Sequence, residues 1–153
     1  MGDAPRYLAL RVIGSGELDH LLCVPLRLPE GATSIRELRR TVVIDQAEPT
    51  LDNVIVQGRL RVEWTYPVGH ALWSTSAEES FALRIGVSGA SPDCQCRVLD
   101  ANVTGSSTTE RRDCSVVRVS VQVLRLEEVQ VTLQQPKRPA ARSVITRFES
   151  RGR

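Results

Sequence analysis

The 153-residue chain reads as an all-β protein, an antiparallel β-sandwich with short N-terminal and C-terminal extensions. Apolar and polar residues alternate with a period of two over long stretches. Clusters of turn-forming residues recur between these stretches, and no amphipathic helix of useful length intervenes.

The elements follow in order. Tyr7 to Ile13 is a short strand ended by Gly14-Ser15-Gly16, and Leu21 to Leu28 is a second, ended by Pro29-Glu30-Gly31. Thr33 to Arg40 is the best helical stretch, but its start fails the capping-box pattern and it soon meets the β-branched Thr41-Val42-Val43-Ile44, so one short turn is the most it supports. Leu38 to Asp45 is a strand closed by Glu48-Pro49. Asn53 to Tyr66 carries the strongest alternation: Val54, Val56, Gly58, Leu60, Val62, Trp64 and Tyr66 point one way, and Gln57, Arg59, Arg61, Glu63 and Thr65 the other. Gly58 interrupts the apolar row and marks a bend, a bulge or a close backbone. Pro67-Val68-Gly69 ends this strand. Phe81 to Ser88 and Arg97 to Thr104 are shorter strands, separated by Ser88-Gly89-Ala90-Ser91-Pro92 and followed by Gly105-Ser106-Ser107. Cys114 to Gln134 is long, with Val117, Val119, Val121 and Val123 in one parity; the parity inverts around Leu124 to Glu128, which predicts a bulge or a change of sheet. From Gln135-Pro136-Lys137-Arg138-Pro139 onward the alternation stops and the tail is basic, with Val144, Ile145 and Phe148 as candidate anchors on a neighbouring surface.

Composition removes several classes of function. Twenty Lys plus Arg against 18 Asp plus Glu leave a formal charge of +2, too small to imply nucleic acid or an anionic membrane as partner. The pairs Arg39-Arg40 and Arg111-Arg112, flanked by Glu37, Glu110 and Asp113, read as ordinary solvated charges. No apolar run approaches the roughly 18 residues of a membrane-spanning helix. The first ten residues lack the basic start and apolar core of a secretory signal, so synthesis in the cytoplasm is expected. All but one of the basic residues are arginine, Lys137 being the exception, which a GC-rich genome explains better than selection for planar ion pairs.

Catalytic signatures are missing. There is no G-x-S-x-G elbow and no glycine-rich phosphate loop, and His20 and His70 have no recognisable nucleophile beside them. The chain is expected to be no enzyme and to need no cofactor. His20-x-x-Cys23 with Cys94-x-Cys96 is a weak zinc pattern, lacking the knuckle spacing of a zinc ribbon. Cys94 and Cys96 are too close along an extended strand to pair with each other, so a disulfide from either would run to Cys23, to Cys114 or to another subunit; four reduced thiols are the alternative. Trp64, Tyr66 and Phe81 fall where the core needs bulk, which leaves Trp73 as the surface platform.

The strand pattern from Pro25 to Leu133 resembles the SPOCS domain of spore-forming Firmicutes. The matching residues are Leu28-Pro29 with Ile35 and Leu38, then Val42-Val43-Ile44, then Asn53 to Leu60 leading to Tyr66. Phe81 with Leu83-Arg84-Ile85, and Val98 and Val103 before the last strand, complete it. The most specific piece is the V-I-V-x-G-x-L run. The resemblance implies a structural role at the spore surface, with synthesis in the mother cell and deposition as a coat layer or an extracellular appendage filament. It carries no catalytic residues. The LysM module and the repeated domains common in that family are missing from this sequence. Three segments follow: an N-terminal extension over residues 1–19, a SPOCS-like sandwich over 20–134, and a basic tail over 135–153. Copies of the chain itself and other coat proteins are the expected partners, with no nucleic acid and no membrane. Tyr7, Leu8, Leu10 and Val12 form a candidate donor strand to a neighbouring copy, and Cys23, Cys94, Cys96 and Cys114 are candidate covalent locks. The alternative is a soluble interaction module that recruits another coat protein or binds a glycan near Trp73 and His70.

Overall fold

A computed structural model describes residues 6–32 and 34–130. Six strands account for most of them: β1 (Arg6–Pro25), β2 (Glu37–Thr50), β3 (Asn53–Val68), β4 (Ala71–Gly86), β5 (Gln95–Thr108) and β6 (Arg112–Gln130). No helix occurs among the described residues. Residues 10–126 form one compact unit; residues 6–9 and 127–130 belong to a second, in which the exposed Arg6 and Glu128 side chains meet at 3.3 Å.

Two antiparallel three-stranded sheets pack face to face, as alternation predicts. One has the order β1-β6-β5 and the other β2-β3-β4. The central strands β6 and β3 carry most of the core: Val117, Val119, Val121 and Val123 face Val54, Val56, Leu60 and Val62, all fully buried. Leu22 and Val24 from β1 and Phe81, Leu83 and Ile85 from β4 extend it. Fully burying one such aliphatic side chain contributes about 1.5–3 kcal/mol, so these two rows dominate the packing energy. Trp64 and Tyr66 are buried with them, as their parity requires.

Several local expectations change. Gly14-Ser15-Gly16 makes no turn, and β1 runs straight through it, past the expected 19/20 boundary of the N-terminal extension. The glycines serve an approach instead of a bend: a Cβ on Gly16 would lie 2.4 Å from the Gly86 carbonyl oxygen of β4, so the edges of the two sheets meet there. The bend expected at Gly58 is displaced onto its neighbour. Ile44 pairs with Gly58 and Gln46 with Gln57, which leaves Asp45 of β2 as the bulged residue. Asp45 turns outward and takes two hydrogen bonds from Arg59, at 2.9 and 3.0 Å. Gly58 itself serves the expected close backbone: an added Cβ would lie 2.5 Å from the Val43 carbonyl oxygen of β2 and 2.7 Å from Cζ of the Phe81 ring.

Glu48-Pro49 stays inside β2, and the hairpin turns at Leu51-Asp52, with Asp52 at φ 60°. Gly105-Ser106-Ser107 likewise stays inside β5. The interruptions of the β5–β6 ladder fall at Leu99 and Thr104 of β5, while β6 pairs with β5 without a break from Asp113 to Leu124, the near end of the Leu124 to Glu128 stretch where a bulge or a change of sheet was expected. Val123 and Leu124 are both buried, so strict alternation breaks there, as the inverted parity predicts.

Candidate assembly and cross-linking sites

Cys23 of β1 and Cys114 of β6 form a disulfide between neighbouring strands. This oxidised pair removes Cys23 from any zinc site with His20, and no group of metal-ligating side chains is found among the described residues. It also settles the partners left open for Cys94 and Cys96 within the chain: both are free thiols, Cys94 buried and Cys96 half-buried.

Beside Cys114, Asp113 is completely buried. Arg40 of β2 grips its carboxylate with two hydrogen bonds, from Nε at 2.8 Å and from Nη2 at 2.7 Å, and so ties one sheet to the other. Thr108 and Ser115 donate to the same carboxylate at 2.6 and 3.1 Å. Burial is the largest single influence on Asp113 and pushes its pKa up. The hydrogen bonds from Arg40, Thr108 and Ser115, with the Arg40 charge, outweigh it and hold the pKa below the ordinary carboxylate range. The stability this provides is therefore complete above the unfolded-state pKa of about 3.9 and is lost as the pH falls through the lower folded value. Arg40 and Asp113 are thus not the solvated charges the sequence suggests. One signal of this was legible: Asp113 and Ser115 share the parity of Val117 to Val123.

Cys94 closes the loop between β4 and β5. Its sulfur is hydrogen-bonded to Ser91 Oγ at 3.3 Å and lies 3.7 Å from Nη2 of Arg125, which also donates to Ser91 Oγ at 3.3 Å. The Ser91 hydrogen bond, aided by Arg125, lowers the Cys94 pKa despite burial. Ser91 also contacts Asp93, and with one proton to give it cannot serve both at once. Cys96 is opposite in character. Burial pushes its pKa up, the Glu48 charge adds to this, and its thiol donates to the Ala47 carbonyl of β2 at 3.2 Å.

The candidate donor residues all lie on β1, an end strand of its sheet. In the smaller unit Tyr7 and Leu8 are 53% and 69% exposed; in the larger, Leu10, Val12 and Leu21 are 53%, 52% and 62% exposed. Leu10 and Val12 share one face by alternation, and at the same spacing further along β1 Leu22 and Val24 are buried. The candidate anchors Val144, Ile145 and Phe148 lie outside the described residues.

At the end of the sandwich where β3 gives way to β4, Trp73 stands 56% exposed opposite Tyr66. Together with Val68, Pro29 and Glu30 these two rings line an open groove of about 260 Å³. His70 sits exposed in the adjoining turn, and His20 lies half-buried in mid-β1.

The chain matches no protein-family model, no curated protein and no solved structure. Fold and surface chemistry define the class: a disulfide-bridged all-β sandwich with exposed apolar side chains along an end strand.

Proposed function

We propose that this chain is a non-enzymatic building block that assembles with copies of itself, as a filament or a layer at the surface of a bacterial spore. The observation that carries the reading is β1. It is an end strand of twenty residues, with six large apolar side chains exposed along it: Tyr7, Leu8, Leu10, Val12, Leu18 and Leu21. Natural proteins blunt an edge of this kind with charge, proline or a cover, because it pairs readily with another chain. Here it is long and presents those apolar side chains among the charged Arg6, Arg11, Glu17 and Asp19, and the exposed apolar positions are what suits strand exchange with a neighbouring copy. The spore setting rests on the SPOCS resemblance. With Cys23 and Cys114 joined to each other, Cys94 and Cys96 carry the thiols left for a bond between copies.

The test compares the wild-type chain with Leu10→Lys/Val12→Lys by negative-stain electron microscopy and sedimentation velocity, with and without reductant. Regular filaments or sheets that the double variant fails to form support the reading. A wild-type chain that stays a single small species under both conditions overturns it.

A further inference from the structure

We infer that Cys94 is a site of oxidation by hydroperoxides, placed so that Arg125 receives the oxygen added to the sulfur. The site is complete within one chain and works whether or not copies assemble.

Local sequence builds half of it. Ser91-Pro92-Asp93-Cys94 is a turn closed by the Cys94 amide, which donates to the Ser91 carbonyl at 3.0 Å, and Pro92 at its second position presets the backbone. The turn folds the Ser91 hydroxyl back onto the Cys94 sulfur at 3.3 Å. Strand pairing supplies the cation. Gln95 of β5 pairs with Leu124 of β6, and the next step of the ladder brings Arg125 beside Cys94. Its Nη2 lies 3.7 Å from the sulfur and donates to Ser91 Oγ at 3.3 Å.

The other arm of the same guanidinium points to what the site takes. Arg125 Nε is buried and has no hydrogen-bond partner, a rare condition for a buried donor. The Nε–H and the neighbouring Nη2–H of a guanidinium form one edge, which grips a pair of oxygens. Arg40 uses those two nitrogens on Asp113, and Arg118 uses them on Asp19. At Arg125 one nitrogen of the edge is engaged at the thiol and the other is empty. An oxygen bonded to the Cys94 sulfur is the acceptor that fills it.

The chemistry balances with a peroxide as oxidant. The Cys94 thiolate attacks one peroxide oxygen, an S–O bond forms as the O–O bond breaks, and the sulfur gives up two electrons to the peroxide. With hydrogen peroxide the products are the Cys94 sulfenate and water, the proton of the attacked oxygen leaving on the departing hydroxide. A second equivalent adds a second oxygen in the same way and gives the sulfinate, whose two oxygens match the Nε–Nη2 edge. The Ser91 hydrogen bond, with help from Arg125, favours the reactive thiolate despite burial. Cys94 is only 7% exposed, between the exposed Asp93 and Gln95, which admits a small oxidant and hinders a bulky one. Cys96 is the internal reference. Burial and Glu48 keep its proton on, and its thiol donates to the Ala47 carbonyl at 3.2 Å.

The experiment treats the full-length chain, with its Cys23–Cys114 bridge intact, with hydrogen peroxide at neutral pH. Dimedone traps the sulfenate, and mass spectrometry follows added oxygen at Cys94 and Cys96 separately. Cys94 is expected to react roughly tenfold faster than Cys96 or more, with the dimedone adduct first and the sulfinate at higher peroxide. Arg125→Met removes both donors and is expected to slow Cys94 by roughly tenfold while Cys96 keeps its rate. Arg125→Lys keeps the charge but not the edge, and is expected to slow Cys94 nearly as much. Thermal unfolding checks that each variant is folded, and Ser91→Ala, in the exposed turn, is the milder variant expected to slow Cys94 by a smaller factor. Equal rates at the two cysteines of the parent chain overturn the inference. So does a Cys94 rate that the folded variants leave unchanged, which removes Arg125 and Ser91 from the reaction.

Discussion

Cys94 and Cys96 stand two residues apart and are driven in opposite directions, one by a hydroxyl and a guanidinium, the other by burial and a carboxylate. The rate of a thiol's alkylation follows its thiolate fraction. A pH series of iodoacetamide labelling, read site by site by mass spectrometry, is therefore expected to give Cys94 a midpoint below the usual thiol range and Cys96 one above it. Ser91→Ala is expected to move the Cys94 midpoint upward and leave Cys96 in place; coincident midpoints in the parent chain would refute the assignment. Alternation alone does not separate these two cysteines, because the difference comes from the Ser91 hydroxyl folded onto Cys94 and from the burial of Cys96, with Arg125 and Glu48 adding to it. Asp113 marks the opposite case. Its parity put it on the core side, but its partner Arg40 sits 73 residues earlier in the other sheet, and only the folded chain brings them together.

At the level of strands, legibility follows position in the sheet. The central β3 and β6 are covered along their inner face and solvated on the other, so their alternation is clean and their bounds were readable within a few residues. The first half of β4 was not. Leu72 and Trp73 are exposed and Ser74 to Ser80 alternate little, because this part of an end strand lies where the opposite sheet gives it little cover. The glycines of β1 misled for a different reason: glycine signals a turn or a close approach with the same letter. Their role gives a sharp expectation. Gly16→Ala places a Cβ 2.4 Å from the Gly86 oxygen and 2.9 Å from Ile85, and thermal unfolding should report a loss of about 1–3 kcal/mol. Gly105→Ala, with nothing within 4 Å, is the control expected to be nearly neutral. Equal effects at both sites would show that β1 and β4 are not in close contact.

On the scale of the whole molecule, the disulfide joins residues 91 apart in sequence and so constrains most of the unfolded chain. Loss of such a bridge costs about 2–5 kcal/mol. Urea unfolding of Cys23→Ala/Cys114→Ala, set against the parent under oxidising conditions, is expected to show a loss in that range; an unchanged midpoint would mean the bridge does not restrain the unfolded chain. The sequence left its pairing open among several choices, since strand order decides it and β1 reaches β6 only by lying outside the β5–β6 hairpin.

That bridge also sets how the protein would carry tension. A subunit pulled between its N-terminal strand and its C-terminal tail receives force through β1 and passes it on through β6. The covalent link between Cys23 and Cys114 shunts the load directly from one strand to the other. Everything between those cysteines, including the whole of the second sheet, is then off the load path and cannot be drawn out while the bond holds. Only the segments before Cys23 and after Cys114 can lengthen, so a strained polymer of such subunits would stretch by a limited, fixed amount per copy and then stiffen.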